Sequence, residues 1–336
     1  LLDSATHQPL IKPAEAHRAP ISSLAAAPDG SWIATTDELK QLRFWGKNSF
    51  APEGRYASVH ATPSGKHALA TRVEGDQHAL VRINPATGNV DQLPEIKPFA
   101  GSLLAVVTDR LVILNEANQL IWRDIETGNA SHTSDLHGSD YQASLSRDHN
   151  VVLLYPSAFG ALIDFDRAYP PPDGIIVLDA HTGKEIVRHK GIFGQAALSP
   201  DGRLFAVTQT SAPRVEIRET RTGNLVRQFD LPIVMLGALS WSPKHDVLAI
   251  ESTTPGQLEL RSATDGKLLH TLTGHLGPIT LAHFTDDAQH LITASRDTSA
   301  LIWNLPALLA AAATQPATAP ADDIGAMIAE ADRIAL

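Results

Sequence analysis

The chain has 336 residues and a formal net charge of −10, from 37 acidic and 27 basic residues with no Lys/Arg cluster, which argues against a phosphate-tracking surface and against nucleic acid as a partner. Absence of cysteine excludes disulfides, thiolate nucleophiles and Cys-ligated zinc together. No apolar run approaches the ~20 residues needed to cross a bilayer, so no membrane insertion is expected.

From Leu1 onward, LLDSATHQPL has the pattern of a strand end, a tight turn and the start of a second strand. Related hairpin signals recur at 83–90, 123–130, 177–186, 218–225 and 261–268, where Asp, Glu, Asn or a neighbouring polar residue leads into Thr-Gly or Asp-Gly. Glycine tolerates positive φ there and the side-chain oxygen bonds backbone two residues on. Leu1 and Leu2 resemble the end of a third strand, as in a piece of a longer chain. No charged segment followed by an apolar one marks a leader, and the compartment stays open.

Between the hairpins lies a second landmark, apolar alternation into a Ser-Pro-Asp-Gly-like turn and out again. It occurs seven times, at 25–35, 60–71, 105–114, 143–154, 196–207, 238–250 and 282–294. A period of roughly 40 to 45 with short strands predicts propeller blades, which must pack face to face because none buries both faces alone. The blades are expected to start near residues 17, 55, 97, 139, 192, 234 and 275.

Within the fourth repeat, PSAFGALIDFDRAYPPPD from Pro156 to Asp173 interrupts the pattern, where other repeats spend a few residues. Loops longer than ~12 residues in compact folds are usually functional or disordered. Phe159, Phe165 and Tyr169 supply aromatic anchors, and Asp164 and Asp166 supply charge.

The last repeat, 273–305, is the most complete. His275 follows Gly274, one apolar run reaches Phe284, a polar turn intervenes, a second run reaches Ala294, and SRDTSALIW closes at Trp303. This resembles a WD repeat. The resemblance implies a four-stranded blade in which Asp297 accepts hydrogen bonds from His275, Ser295 and the Trp303 indole. HRAPIS (17–22) matches HLGPIT (275–280), placing His17, Thr35, Asp37 and Trp45 in the same roles, with two extra residues between Asp and Trp. In the other five repeats the Trp position holds Ile83, Arg123, Leu178, Arg218 and Arg261. The expected fold is all-β, a seven-bladed propeller of four-stranded antiparallel blades over residues 1–305. The last repeat has no fourth strand of its own, so residues 8–13 are expected to complete blade seven and cover its edge.

Beyond Asn304 the composition turns Ala- and Pro-rich, with a short helix expected at 307–313 in a 306–336 tail. DDIGAMIAEADRIAL then has the pattern of an amphipathic helix capped by Asp322, with Ile324, Met327, Ile328 and Ile334 on one face.

No motif fixes a catalytic constellation: there is no Gly-x-Ser-x-Gly elbow, Walker loop, His-Glu-x-x-His, EF-hand or Rossmann glycine pattern. The 15 histidines lack ligand spacing, and Asp286 with Asp287 reads as a solvated turn. No cofactor is expected. Two functions compete. The first, implied by the resemblance, is a non-catalytic scaffold for a peptide or protein. The second is a ligand-, glycan- or metal-binding channel, conceivably hydrolytic, against which the small and apolar innermost runs at 25–27, 196–198 and 236–239 argue. The resemblance implies that loops joining second to third strands lie on one face, which collects Asp37, Glu38, Glu74, Asp76, Glu116, Asp164, Asp166, Asp173 and Asp297 against Lys40, Arg167 and Arg296. That face is expected to be acidic and to take a partner of basic character, with the propeller a monomer.

Overall fold

The computed structural model describes residues 2–3, 17–46, 49–116, 119–136, 141–156, 174–192, 194–208, 212–232 and 237–314. Strand β1 (Leu2–Asp3) comes first. Blade one follows with β2 (Ile21–Ala26), β3 (Trp32–Asp37) and β4 (Leu42–Gly46). Blade two holds β5 (Tyr56–Ala61), β6 (Ala68–Glu74), β7 (Gln77–Ile83) and β8 (Val90–Gln92), and blade three β9 (Gly101–Val106), β10 (Leu111–Glu116), β11 (Gln119–Asp124) and β12 (Ala130–Asp135). Blade four is β13 (Tyr141–Leu145), β14 (Val151–Pro156), β15 (Ile175–Asp179) and β16 (Glu185–His189). Blade five is β17 (Ala196–Leu198), β18 (Leu204–Thr208), β19 (Arg214–Glu219) and β20 (Leu225–Asp230). Blade six is β21 (Leu239–Trp241), β22 (Val247–Glu251), β23 (Gln257–Ser262) and β24 (Leu268–Thr273). Blade seven is β25 (Ile279–Phe284), β26 (His290–Ser295) and β27 (Ala300–Asn304), joined by β1. The all-β, seven-bladed propeller expected from the periodicity is the observed fold.

Local chemistry explains the meander. In the first turn of several blades a Ser or Thr hydroxyl donates to an Asp two residues on, as in Ser146 to Asp148 (2.6 Å), Ser199 to Asp201 (2.7 Å) and Thr285 to Asp287 (2.6 Å). Asp287 is therefore part of the turn's framework. In the outer hairpins Asp124 and Asp179 accept the amides and hydroxyl of Thr127 and Thr182, and the following glycines, Gly128 and Gly183, take φ of 70° and 71°.

The core lies between blades, not within them. Each seam is one apolar cluster, such as Trp122, Leu120 and Ile113 of blade three against Val152, Leu154 and Leu178 of blade four. Burying one such side chain is worth roughly 1.5–3 kcal/mol, and every middle strand has both faces to bury. Three seams share a second device. A side chain of one blade donates to a hairpin carbonyl of the next: Trp122 Nε1 to Ala180 O (2.8 Å), His189 Nε2 to Thr220 O (2.9 Å) and Arg227 Nη1 to Ala263 O (3.2 Å). Indole, imidazole and guanidinium do one job there, since a buried carbonyl needs a donor and any of them provides it.

Two departures from regular four-stranded blades stand together. Among the described residues blade one has three strands, and Phe50 takes the fourth place by pairing with Phe44 and stacking on its ring at 4.7 Å. No Thr-Gly hairpin follows β4, and Pro52 has no amide to donate to a ladder. In blade seven an N-terminal strand joins β27, but it is Leu2 and Asp3, paired in parallel with Leu301 and Ile302, where residues 8–13 were expected. A strand arriving from the other end of the chain is not bound by a hairpin to run antiparallel. Residues 8–13 lie outside the described residues. The closing seam also carries Ile33 and Trp45 packed with Ile292, and the Asp287 amide bonded to Pro28 O at 3.1 Å.

Helix α1 (Leu305–Thr314) starts two residues before the expected 307, because Asn304 Oδ1 caps it by accepting the Ala307 amide at 2.9 Å. Leu308 and Leu309 then pack on the apolar seam of blades six and seven. Residues 322–336, expected as an amphipathic helix, lie outside the described residues.

Candidate functional site

Two side-chain relays stand at the face where second strands join third strands. In blade one the Trp45 indole donates to Thr35 Oγ1 at 2.8 Å, Thr35 Oγ1 lies 2.7 Å from His17 Nε2, and His17 Nδ1 lies 2.9 Å from Asp37 Oδ2. In blade seven Trp303 donates to Thr293 Oγ1 at 2.9 Å, Thr293 Oγ1 lies 2.8 Å from His275 Nε2, and His275 Nδ1 lies 3.2 Å from Asp297 Oδ2. The end groups set the direction. Indole only donates and carboxylate only accepts, so each Thr hydroxyl passes its proton toward an imidazole that is protonated on Nδ1.

This corrects the expected networks of both blades: the Trp45 indole is accepted by Thr35, not Asp37, and blade seven departs further. The acceptor of the Trp303 indole is Thr293, not Asp297, and Ser295 Oγ donates to Gly277 O at 2.9 Å and accepts the Asp297 amide at 3.1 Å. Trp303 is in register with Leu291, and Thr293 is the next residue on that face of β26. Ser295 is four residues along, about 13 Å by strand rise, beyond an indole's reach. Spacing could have found it: His to Thr is 18 residues and Thr to Trp is 10 in both blades. Only the Asp slides. Asp37 ends β3, two residues after its Thr, whereas Asp297 sits in the turn, four after, which accounts for the two extra residues before Trp45.

The Trp-position residues of other blades find separate work. Arg123, Arg218 and Arg261 each donate Nη1 to the carbonyl of the hairpin glycine, Gly128 (3.0 Å), Gly223 (2.6 Å) and Gly266 (2.9 Å). Arg218 and Arg261 also pair with Glu216 and Glu259 two residues earlier on the same strand.

Both relays respond to acid, at different pH. Burial lowers the His17 pKa despite its bond to Asp37, favouring the neutral ring that the relay requires. Burial alone would raise Asp297, but bonds from His275, Ser299 and the amides of Leu276 and Ser299 outweigh it and hold the carboxyl well below the ordinary range. Both folded values are depressed, so both contributions are present above the unfolded pKa and fade as pH falls. The His17 contribution should fade as pH drops below about 6.5, the ordinary His value, and the Asp297 contribution only below about 4, the ordinary Asp value. Burial also lowers His283 on β25, so the comparison is made in a His283→Gln background: hydrogen exchange measured from pH 7 to 3 should show blade one loosening first, and simultaneous loosening of the two blades would contradict it.

The loop face itself is less acidic than the residue count suggests. Asp37 is fully buried in its relay and Asp297 nearly so. Glu38 lies 3.8 Å from Arg296, Glu74 pairs with Arg72, and Glu116 lies 3.7 Å from Arg123, while Asp76 stands exposed in the turn after Glu74. Phe159, Asp164, Phe165, Asp166, Tyr169 and Asp173 lie outside the described residues. Two apolar side chains project from this face: Leu276 is 94% exposed and Leu39 is 55% exposed. The backbone under Leu276 is fixed, its amide donating to Asp297 Oδ2 at 2.7 Å. Glu251, at the end of β22, was not singled out by the sequence. Burial pushes its carboxyl up to about 7, against the lowering effect of a hydrogen bond from the Ile279 backbone. No ion pair reaches it among the described residues.

A channel of about 540 Å³ is lined by the small and apolar Ala25, Ala26, Ala196, Ala197, Leu198 and Leu239 expected from the sequence, and also by polar residues. Two residues before the amide that closes the first turn, the chain places Ala25, His60, Ala105, Ser144, Ala197, Ser240 and His283, with Trp241 beside them. Burial lowers both imidazoles, His60 to about 4 even with a backbone bond at Leu103. Among the described residues no three His, Asp or Glu side chains gather as a metal site. No helix is long and apolar enough to cross a membrane.

A blade sheet closed by the N-terminus, with His, Thr, Asp and Trp relays at two positions, makes this a seven-bladed propeller of the WD-repeat type. The family model described as WD domain, G-beta repeat matches residues 9–46 and 266–304, the two blades that carry the relays. Over 135 residues the chain is 24% identical to WD repeat-containing protein 18 of Danio rerio, covering 40% of this chain and 31% of that protein. Over 114 residues it is 28% identical to the pre-rRNA-processing protein IPI3 of Mycosarcoma maydis, covering 34% of this chain and 19% of that protein. The matches thus span less than a third of either relative.

Proposed function

We propose that the protein is a non-catalytic interaction scaffold that binds a peptide or protein segment of basic character on its loop face. The observation that carries this reading is Leu276, an apolar side chain left 94% exposed on a backbone held rigid by Asp297. Exposed, pre-organised apolar groups ringed by charge are what protein partners bury. Asp76 stands exposed on this face while Glu38, Glu74 and Glu116 face arginines, so a basic partner is favoured by Asp76 together with the net charge of −10, and residues 157–173, which connect β14 to β15, add Asp164, Phe165, Asp166 and Tyr169 in the sequence. One relative is named for pre-rRNA processing. Carried over to this chain, such a role would run through protein contacts, because a net charge of −10 does not suit RNA phosphates.

The test is a partner isolated on the full chain, its affinity then measured against salt. Affinity should fall about tenfold or more between 50 and 300 mM salt, and again on Phe165→Ala with Tyr169→Ala, at unchanged melting temperature. A partner that binds the loop-deleted protein with the same affinity and salt slope overturns the reading. A second reading, a small polar ligand in the channel, has His60, Ser144, Ser240 and His283 in its favour.

A further inference from the structure

Three features meet at the loop-face corner between blades six and seven. The first is Glu251. Its carboxylate is packed so closely on the main chain that a Cβ at Gly237 would fall on Oε2, and it accepts a hydrogen bond from the Ile279 backbone. A carboxylate removed from water ordinarily has a cation or several donors to compensate it. Here one backbone bond does so, and no Lys, Arg or His of the described residues forms an ion pair with it. The second is Leu276, three residues before Ile279 and almost wholly exposed. The third is the connection between them. The loop leaving Glu251 returns at Gly256, where a Cβ would collide with the His275 carbonyl, so the loop after β22 and the entry to β25 are pressed together.

We infer that Glu251 and Leu276 form one receptor, in which the Glu251 carboxylate takes an arginine or lysine side chain and Leu276 packs against a neighbouring apolar side chain of the same peptide segment. This rests on the scaffold reading and gives it a centre. Guanidinium fits best, because its planar donors satisfy both carboxylate oxygens at once, and such a pair desolvated at a rigid site is of the kind that dominates interface energetics. The cation stays charged, and any proton held by the carboxyl is released to solvent as it seats.

The full chain is titrated with a fluorescent peptide library carrying a fixed Leu-Arg pair in otherwise random Ala, Ser and Gly, and with the same library carrying citrulline for arginine. Arginine peptides should bind at least tenfold more tightly than citrulline peptides, and Glu251→Gln should abolish that difference while raising or leaving unchanged the melting temperature. Leu276→Ser, at a site with no packing to lose, should weaken binding about tenfold with the fold intact. Equal binding of arginine and citrulline peptides, binding of neither, or full arginine preference in Glu251→Gln overturns the receptor. The scaffold reading is separable: a partner whose affinity drops with Phe165→Ala and Tyr169→Ala but ignores Glu251→Gln and Leu276→Ser keeps the scaffold and removes this site.

Discussion

Thr293→Val is expected to lower stability by about 2–4 kcal/mol, because the hydroxyl it removes serves two buried partners at once. Valine matches threonine in shape, so packing is kept and the loss is polar. The Trp303 indole, which can only donate, is left without an acceptor, and His275 Nε2 loses its donor. Ser295→Ala, two residues away, removes one bond to Gly277 and one from the Asp297 amide near the strand end, and should cost about 1 kcal/mol. Urea midpoints of the two variants decide between this relay and a network centred on Ser295. A larger loss from Ser295→Ala would reverse the assignment.

Trp122→Ala should cost more, about 3–5 kcal/mol. The side chain is fully buried at the seam of blades three and four, in contact with a cluster drawn from both, and its indole donates to Ala180 O across that seam. Truncation leaves a cavity and an unpaired carbonyl together, whereas Trp122→Phe keeps much of the volume and isolates the carbonyl's share at about 1–2 kcal/mol. Because each seam joins adjacent blades in a closed ring, the damage should appear first as exchange in β11 and β15. Loss confined to β11 would mean that the seam transmits less than its packing suggests.

The ring was legible because turn chemistry repeats: Ser146-x-Asp148 and Asp124-x-x-Thr127-Gly128 fix where strands start and stop whatever their apolar content. Blades one and seven were legible in more detail because the relay needs particular atoms. Thr293 escapes a pattern counted back from Asp297, because the Asp is the one member that slides. The seam donors were opaque for a different reason. A carbonyl accepts from indole, imidazole or guanidinium alike, so Trp122, His189 and Arg227 share no letter that a sequence pattern could register. Glu251 was hidden because its burial depends on a glycine fourteen residues earlier and on a backbone amide of the next blade. The count of acids misjudged the loop face, since composition records charges but not that Asp37 and Asp297 are spent inside relays or that Glu38 faces Arg296.

The two relays occupy neighbouring blades on either side of the seam next to the ring's closure, where β1 from the start of the chain pairs with β27 inside blade seven. Hairpins join the other neighbouring strands of that blade. At this joint the fastening includes a two-residue parallel pairing, an apolar patch around Ile33, Trp45 and Ile292, and the bond from the Asp287 amide to Pro28. A clasp of that kind holds only while its two halves keep their shape, and the relays stiffen each half separately. Mechanical tension applied between residues 3 and 305 would meet this joint before any other, which gives the most exacting side-chain chemistry of the molecule a place in its mechanics as well as in its folding.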